Sequence, residues 1–208
     1  MLHTKHITSF ASKPSDIPKP TREEAERAVR TLIAWAGEDP GRPELRQTPA
    51  RVVDAYLEYF RGYQEDPAAW LTDTDIDISG GYDDIVMLHG VRVQSFCEHH
   101  MIPFAGTAAL AYLPDGKFAG LSRLARVVDT LARRLQTQES LTQQIAETIN
   151  IALKPRGVAV LIEAEHQCIS LRGLRQSGIK AITHRFFGTF ESDADLRQRF
   201  MLAVHKVP

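Results

Sequence analysis

Val158-Ala159-Val160-Leu161-Ile162 is the stretch that decides the predicted fold, and residues 163–168 continue it. Five consecutive apolar residues with a high β-branched content predict a buried strand. Two helical patterns precede this strand, and further strand patterns lie on either side of the helices. The order of two strands, two helices and two strands predicts an α+β domain, in which helices cover one face of an antiparallel sheet.

The remaining elements are predicted from the spacing of their apolar residues. Short β-rich runs predict strands, and apolar residues three and four apart predict helices. In chain order we predict strands at 85–93, with a bend at His89-Gly90, and at 104–113, helices from Ser122 and from Gln138, the strand at 158–162 continuing toward Cys168, a strand at 186–190 and a short helix from Asp193.

A helical segment precedes the sheet. Thr21 and Glu24 have the spacing of a capping box, and Thr48-Pro49 combines an N-cap with proline at the first helical position. The polar residues before Thr21 lack the apolar core of a signal peptide. We therefore predict a flexible arm at 1–20, a helical N-terminal subdomain at 21–65 and the sheet-containing domain at 66–208.

The charge of the 208-residue chain is nearly balanced, with 25 Lys and Arg against 26 Asp and Glu. Such a chain lacks the broad basic field that binds duplex nucleic acid, so we expect no nucleic-acid partner. No apolar run reaches the roughly 18–20 residues that span a bilayer, so we expect no membrane partner. The composition is that of a soluble protein, and we predict a cytoplasmic location.

An acidic segment, Thr72-Asp73-Thr74-Asp75-Ile76-Asp77, looks like the start of a calcium loop. A calcium-binding EF-hand needs glycine at its sixth position and glutamate at its twelfth. Those positions hold Ile78 and Asp84. We interpret the segment as a solvated acidic loop.

Cysteine and histidine cluster in two places, Cys97-Glu98-His99-His100 and His166-Gln167-Cys168. Thiolate and imidazole are ligands that Zn²⁺ selects. In either cluster taken alone, the cysteine is more often a small buried apolar residue, and the histidine has no special role. Residues two apart in a strand share a face, so we expect His166 and Cys168 to be presented together. The two clusters together favour a metal site.

Cys97, His100 and Cys168 are the predicted zinc ligands. Three protein ligands leave a fourth position for water, which is the pattern of a catalytic site. Water at such a site ionises near neutral pH and becomes a nucleophile. His99 and His166 then become candidate proton carriers, because imidazole titrates near the working pH.

A second group of candidate residues is cationic: Ser122, Arg123 and Arg126 at a helix start, and Arg172 after Cys168. Arginines at a helix N-terminus suit a phosphate group, although a solvated charged helix face explains them equally well. Gln138-Glu139 also begins a helix. Its carboxylate could pair with the N–H edge of a guanine, or could simply complement the helix dipole.

Taken in order, five motifs resemble the GTP cyclohydrolase I family, and the resemblance runs from about Arg22 to the C-terminus. The motifs are Cys97-Glu98-His99-His100, Gly120-Leu121-Ser122-Arg123-Leu124-Ala125-Arg126, Arg134-Leu135-Gln136-Thr137-Gln138-Glu139, His166-Gln167-Cys168 and Arg172-Gly173, with Thr48-Pro49-Ala50-Arg51-Val52 in addition. The resemblance implies a tunnelling fold, a toroidal homodecamer with active sites where subunits meet, and Zn²⁺ as cofactor. The implied reaction converts GTP and water to formate and 7,8-dihydroneopterin triphosphate, the first step toward folate or other pterins.

The resemblance also implies a role for each matching residue. Cys97, His100 and Cys168 match the zinc ligands, and His99 and His166 match the two catalytic histidines. The remaining matches are substrate-binding: Gln138 and Glu139 for guanine, Ser122, Arg123, Arg126 and Arg172 for the triphosphate, and Arg51 as an arginine from a neighbouring subunit. The domain at 66–208 is then the catalytic domain.

The chain departs from the family pattern at the predicted phosphate end. Small hydroxyl residues are usual around residues 181–185, where Ala181, His184 and Arg185 break the pattern although Thr183 remains. Arg123 stands where lysine is common, and Ser140 stands where a basic residue is common. Another cation near a triphosphate is chemically compatible with GTP. The alternatives are a non-catalytic or altered-nucleotide zinc-binding relative that acts as a ligand-sensing oligomer, and a zinc-containing nucleic-acid module.

Overall fold

The computed structural model describes residues 18–72 and 82–206, the side chain of Lys206 excepted. Its helices are α1 (Arg22–Trp35), α2 (Thr48–Tyr59), α3 (Leu121–Ala132), α4 (Gln138–Leu153), α5 (Gln167–Ser170), α6 (Thr189–Ser192) and α7 (Ala194–Lys206), with 3₁₀ turns at Arg61–Gln64 and Pro67–Leu71. Its strands are β1 (Val86–Cys97), β2 (Pro103–Leu113), β3 (Leu135–Gln136), β4 (Gly157–His166) and β5 (Lys180–Gly188). The predicted calcium-like segment lies, apart from Thr72, outside the described residues.

The five described strands form one sheet in the order β3-β1-β2-β4-β5. The β1–β2, β2–β4 and β4–β5 pairs are antiparallel, and only the short β3 runs parallel to β1. The register places Phe104 opposite His166, and Cys97 opposite Gln136. Both candidate metal clusters therefore lie at the same end of the sheet. The predicted α+β class with an antiparallel sheet is confirmed.

The two faces of the sheet carry two separate apolar clusters, because side chains alternate along each strand. Leu110 and Val160 pack against α3 and α4 on one face. Their neighbours Ala109 and Leu161 pack on the other face, against α6 and α7. The prediction of helices on one face was therefore incomplete. The C-terminal helix was predicted, but its amphipathic pattern does not say which face it covers.

Three predicted boundaries were wrong. The region at 85–93 is part of one strand, in which the bend at His89-Gly90 is only a register irregularity between Leu88 and Val91. Cys168 lies in the short helix α5 and not in a strand. The last strand ends at Gly188, and residues 189–190 begin α6. The last two errors fall at element ends, where backbone geometry changes without a change in hydrophobicity, whereas the first is a register irregularity inside β1.

The helical N-terminal segment docks on the rest of the chain through the 3₁₀ turn at Arg61–Gln64. The predicted capping box of Thr21 and Glu24 is present at the start of α1. The buried Arg134 donates from Nε to the Gly62 carbonyl at 2.9 Å, and the Gly62 amide donates to the Arg133 carbonyl at 3.1 Å. A Cβ on Gly62 would lie 2.0 Å from the backbone carbonyl oxygen of Thr130, so only glycine fits this contact. Within the described residues, no helix is long and apolar enough to cross a membrane.

Candidate active site

A tight turn between β1 and β2 presents the first candidate cluster. Cys97 ends β1, and its carbonyl accepts from the Met101 amide at 2.8 Å while its own amide donates to the Ile102 carbonyl at 2.9 Å. Met101 takes a left-handed backbone with φ of 54°, which reverses the chain within a few residues. As a result the Cys97 side chain is buried, whereas His99 and His100 are exposed.

The three predicted zinc ligands come together at this end of the sheet. One donor atom each from Cys97, His100 and Cys168 lies within 4.8 Å of the others. Donors around a tetrahedral zinc with Zn–S bonds of ~2.3 Å are about 3.8 Å apart, so small side-chain movements suffice to close the set. Cys168 reaches it from α5, which starts directly after His166.

The chemistry of this donor set fits a zinc ion. Burial, together with the neighbouring Cys97 sulfur, raises the pKa of the Cys168 thiol. A divalent cation beside the two sulfurs would favour the thiolate form of Cys168 and so oppose this rise. Two thiolates and one imidazole are also the set found in catalytic zinc sites that keep an open fourth position.

The two adjacent histidines of the turn face different partners. His99 Nδ1 lies 3.5 Å from Cys97 Sγ, and His99 Nε2 lies 4.0 Å from a carboxylate oxygen of Glu98. His100 Nε2 instead accepts a hydrogen bond from Arg172 Nη1 at 3.0 Å. The predicted triphosphate-side cation Arg172 therefore contacts the predicted ligand His100, whereas His99 contacts the Cys97 sulfur.

His166 is held by a buried amide and an aromatic ring. Its Nε2 lies 2.9 Å from Gln138 Oε1, and its ring stacks on Phe104 with 4.6 Å between the ring centroids and 8° between the planes. The Gln138 amide nitrogen lies within hydrogen-bond distance of Ile162 O, Ala181 O and Thr183 Oγ1. These acceptors fix the amide orientation, so Oε1 faces His166 and the imidazole Nε2 carries the hydrogen.

This tautomer leaves Nδ1 of His166 as the nitrogen that can gain or lose a proton. Burial lowers the pKa of His166, while the nearby Glu139 carboxylate acts in the opposite direction. Glu139 is exposed in the first turn of α4, whereas Gln138 is only 1% exposed. Of the pair Gln138-Glu139, the carboxylate is therefore the group presented to a ligand, and the amide is engaged by the protein.

The remaining predicted substrate residues lie far from this cluster within one chain. Ser122, Arg123 and Arg126 line a pocket with Ala69 and Trp70 at the start of α3. That end of α3 follows Ala119, whose amide donates to the Tyr112 hydroxyl near the end of β2. The opposite end of α3 leads into β3 beside Cys97. Arg123 lies nine residues and Arg126 six residues before Ala132, so the helix alone places them about 14 Å and about 9 Å from the end that leads to the metal cluster.

Two other predicted residues also lie outside the cluster. Arg51 is exposed on α2 and donates to the Gln47 side chain at 2.9 Å. Arg185 lies near the middle of β5, and its guanidinium lies 4.6 Å from the Phe187 ring centroid. Its neighbour His184 points to the opposite face of the sheet, where its ring makes a tilted contact with Phe186 at a centroid distance of 5.1 Å. None of these side chains contacts the metal ligands in the described residues.

Comparisons with known proteins agree on one family. The family model described as GTP cyclohydrolase I matches residues 25–205. This chain belongs to the GTP cyclohydrolase I family. The GTP cyclohydrolase 1 of Hyphomonas neptunium is 54% identical over 189 residues, which cover 91% of both chains. That of Brucella suis is 54% identical over 186 residues, which cover 89% of this chain and 87% of the relative.

The fold agrees with this membership. Two strands, two long helices and two strands, with a helical N-terminal segment, form the tunnelling arrangement expected for a GTP cyclohydrolase I. Among solved structures, an archaeosine synthase QueF-Like in the apo form aligns with a TM-score of 0.41 and 16% identity, covering 51% of this chain and 96% of that one.

Several residues of the site in this GTP cyclohydrolase I family member were not found from sequence. Phe104 stacks on His166, and the Thr142 hydroxyl lies 2.6 Å from that of Thr183 beside Gln138. Thr183 itself was expected from sequence only as a hydroxyl of the phosphate end. Strand alternation in the sequence indicates which residues share a face of the sheet. The pairs Thr183–Ile162 and Phe104–His166 follow only when the register between strands is also known.

Proposed function

We propose that this chain is an active GTP cyclohydrolase I, which opens the imidazole ring of GTP by hydrolysis, releases formate and forms 7,8-dihydroneopterin triphosphate. The observation that carries the proposal is the convergence of Cys97, His100 and Cys168 in a member of this family. His99 and His166 flank that donor set. A ligand-sensing relative would not need these two proton carriers.

Cys97, His100 and Cys168 would hold the zinc ion. When bound, zinc supplies a Lewis acid and a water molecule whose pKa is low enough for hydrolysis near neutral pH. The protein contributes a rigid frame for this chemistry. Cys97 is fixed by the turn to Ile102, and the His100 amide donates to the Cys97 carbonyl at 3.3 Å in the same turn. A neutral imidazole has one free lone pair, so His100 would exchange its bond to Arg172 for the metal, which frees the Arg172 guanidinium for phosphate.

The two histidines carry protons in different steps of this proposal. His99, with Nδ1 directed at the Cys97 sulfur, keeps Nε2 for the substrate and protonates the purine N7 as water adds to C8 and the C8–N7 double bond becomes single. The ring then opens, and a second hydrolysis releases formate. His166, with Nε2 committed to Gln138, exchanges its proton at Nδ1 and assists opening of the ribose as a general acid. Burial lowers the pKa of His166 and so favours the neutral ring before substrate binds.

Glu139 anchors the base in this proposal. A carboxylate accepts two N–H bonds from the amino and ring N–H edge of guanine, and this pairing orients C8 toward the metal ligands. We assign Gln138 chiefly to orienting His166, because its amide is already bonded within the protein. Direct contact between Gln138 and guanine stays a prediction.

We infer that each complete site is built from more than one chain. Arg172 lies next to His100, but Ser122, Arg123 and Arg126 line a separate pocket on α3 in the same chain and do not contact the metal ligands. The homodecamer expected from the family, with Arg51 entering from a neighbouring subunit, would bring these groups to one substrate.

We also propose that the chain divides after residues 20 and 65 into an arm, a helical subdomain and a catalytic domain. We propose a cytoplasmic location, which suits a protein with two free cysteines, and no nucleic-acid partner.

Turnover of GTP tests the proposed activity. Zinc-loaded protein is incubated with GTP, and formate and the pterin chromophore are followed together. Equal amounts of the two products are expected. Absence of both products from a fully zinc-loaded oligomer would contradict the proposal and leave the ligand-sensing alternative.

Mixing two inactive variants tests the shared site. Cys168→Ala removes a metal ligand, and Arg126→Ala removes a cation from the α3 end. Each is expected to be inactive alone. If neighbouring chains complete each site, random reassembly of an equal mixture restores activity in roughly one site in four. Mixing without dissociation is the control, and no recovery after reassembly would place all these residues in a single chain's site.

A further inference from the structure

We propose that Trp70 is a positioning residue that pre-forms the triphosphate subsite by holding Arg126 and Arg123 in place. The inference rests on the proposed function, because it concerns how that substrate's phosphates are received. Trp70 lies in the 3₁₀ turn at Pro67–Leu71 and lines one pocket with Ser122, Arg123 and Arg126.

Trp70 contacts both arginines in different ways. The guanidinium carbon of Arg126 lies 4.6 Å from the centroid of the Trp70 ring, a cation–π distance. The Trp70 carbonyl accepts from Arg123 Nη1 at 3.4 Å. Stacking uses the face of a guanidinium and leaves its in-plane N–H groups for phosphate oxygens.

The indole is itself fixed from behind. Its Nε1 donates to Thr130 Oγ1 at 3.1 Å, and the Thr130 hydroxyl donates to a Glu65 carboxylate oxygen at 2.8 Å. Thr130 is 1% exposed, so this bond lies in the protein interior. Trp70 is thus attached to α3 one turn beyond Arg126, and its ring cannot turn away without breaking a buried hydrogen bond.

This arrangement has a direct consequence for binding. Arg123 and Arg126 lie three residues apart on one helix face, where their like charges repel and their long side chains sample many rotamers. The aromatic face and the carbonyl of Trp70 offset the repulsion and reduce that freedom before a ligand arrives. Pre-organised cations bind phosphate with a smaller entropic loss.

Substitutions at the two tryptophans of the chain provide the test and its matched control. Trp70→Leu removes the aromatic face, Trp70→Phe keeps it, and Trp35→Leu alters the other tryptophan, which is 85% exposed on α1. In zinc-loaded enzyme, Trp70→Leu is expected to raise KM for GTP roughly two- to fivefold with kcat within about twofold. Trp35→Leu is expected to retain the wild-type KM. Trp70→Phe keeps an aromatic face but loses the Nε1 bond to Thr130, so its KM is expected to lie between those of the wild type and Trp70→Leu.

Calorimetric titration with inorganic tripolyphosphate gives a readout that is independent of turnover. The dissociation constant is expected to rise in Trp70→Leu by the same factor as KM. In a Trp35→Phe background, where Trp70 is the only tryptophan, tripolyphosphate is expected to change the fluorescence saturably.

The inference is wrong if Trp70→Leu binds tripolyphosphate with unchanged affinity, even when its melting temperature or kcat falls, since the residue would then be merely structural. It is also wrong if Trp70→Phe is as impaired as Trp70→Leu. Absence of GTP turnover in the unsubstituted protein would instead overturn the proposed function, and the titration would still decide the role of Trp70.

Discussion

The imidazole Nε2 of His166 donates to Oε1 of Gln138 across 2.9 Å, and this bond connects the end of β4 to the first turn of α4. Gln138 is 1% exposed and sits among the acceptors Ile162 O, Ala181 O and Thr183 Oγ1. The orientation of a candidate catalytic ring is therefore set by the register of β4 and β5 through one side-chain amide.

Replacing Gln138 by Ala is expected to lower kcat about tenfold or more and to change KM for GTP less, because His166 loses the partner that fixes its tautomer and ring angle. NMR of the histidine ring nitrogens checks the cause: the signal of the Nε2-protonated His166 should weaken. The control is Gln144→Ala, which removes another α4 amide, one that accepts from Gln136 Nε2 at 2.9 Å. A fall in kcat of equal size in the control would show a general effect of loosening α4.

Removing a thiolate is expected to remove the metal. Cys168→Ala should reduce bound zinc from about one ion per chain to a small fraction and abolish formate release, because two ligands bind zinc much more weakly than three. Metal analysis after dialysis provides the measurement. Ser170→Ala, on the same short helix, changes only a long contact to the His166 carbonyl at 3.5 Å and should keep both zinc and activity. A Cys168→Ala protein that keeps its zinc would remove this residue from the ligand set.

The metal cluster could be predicted from sequence because its chemistry is local. Cys97-Glu98-His99-His100 places candidate ligands and a candidate proton carrier within one turn, so no knowledge of the fold is needed to predict them. The second cluster was predicted for a partly wrong reason. His166 and Cys168 were expected to share a strand face, whereas the strand ends at His166 and α5 turns Cys168 toward Cys97.

The environment of His166 and the location of the phosphate-side arginines could not be predicted in the same way. The contact between His166 and Gln138 joins residues 28 apart in sequence, and the Thr142–Thr183 contact joins residues 41 apart. Such contacts depend on strand register and helix placement, which short-range patterns do not encode. The motif around Arg123 and Arg126 indicates a role, but their distance from Cys97 becomes visible only when α3 is placed on the sheet.

Arg172 is expected to act on substrate binding more than on metal retention. Arg172→Gln removes the cation beside His100 and should raise KM for GTP by roughly ten- to a hundredfold, since a charge-assisted phosphate bond is lost. Zinc content should stay near that of the unsubstituted protein. Arg175→Gln, an exposed arginine in the same connection between α5 and β5, is the charge-matched control and should change KM little. Unchanged KM with full zinc content would remove Arg172 from the phosphate contacts, and loss of zinc would assign it to supporting the metal ligands.

Gly62 is expected to be essential for docking the helical N-terminal segment. A methyl group there would lie 2.0 Å from the Thr130 carbonyl oxygen and 2.8 Å from that of Arg133, and both atoms belong to backbone that cannot move aside easily. Gly62→Ala should therefore lower the free energy of unfolding by about 2–4 kcal/mol, measured by urea denaturation. Gly41→Ala is the control, because its nearest neighbour is an Asp39 side-chain oxygen at 3.2 Å that can rotate away.

The same substitution should also affect the metal site. The Gly62 carbonyl accepts from Arg134, and the chain after Arg134 continues into β3 beside Cys97. Zinc affinity should therefore fall with stability in Gly62→Ala and stay unchanged in Gly41→Ala. Unchanged stability in Gly62→Ala would mean that the 3₁₀ turn at Arg61–Gln64 is not held against α3 in solution.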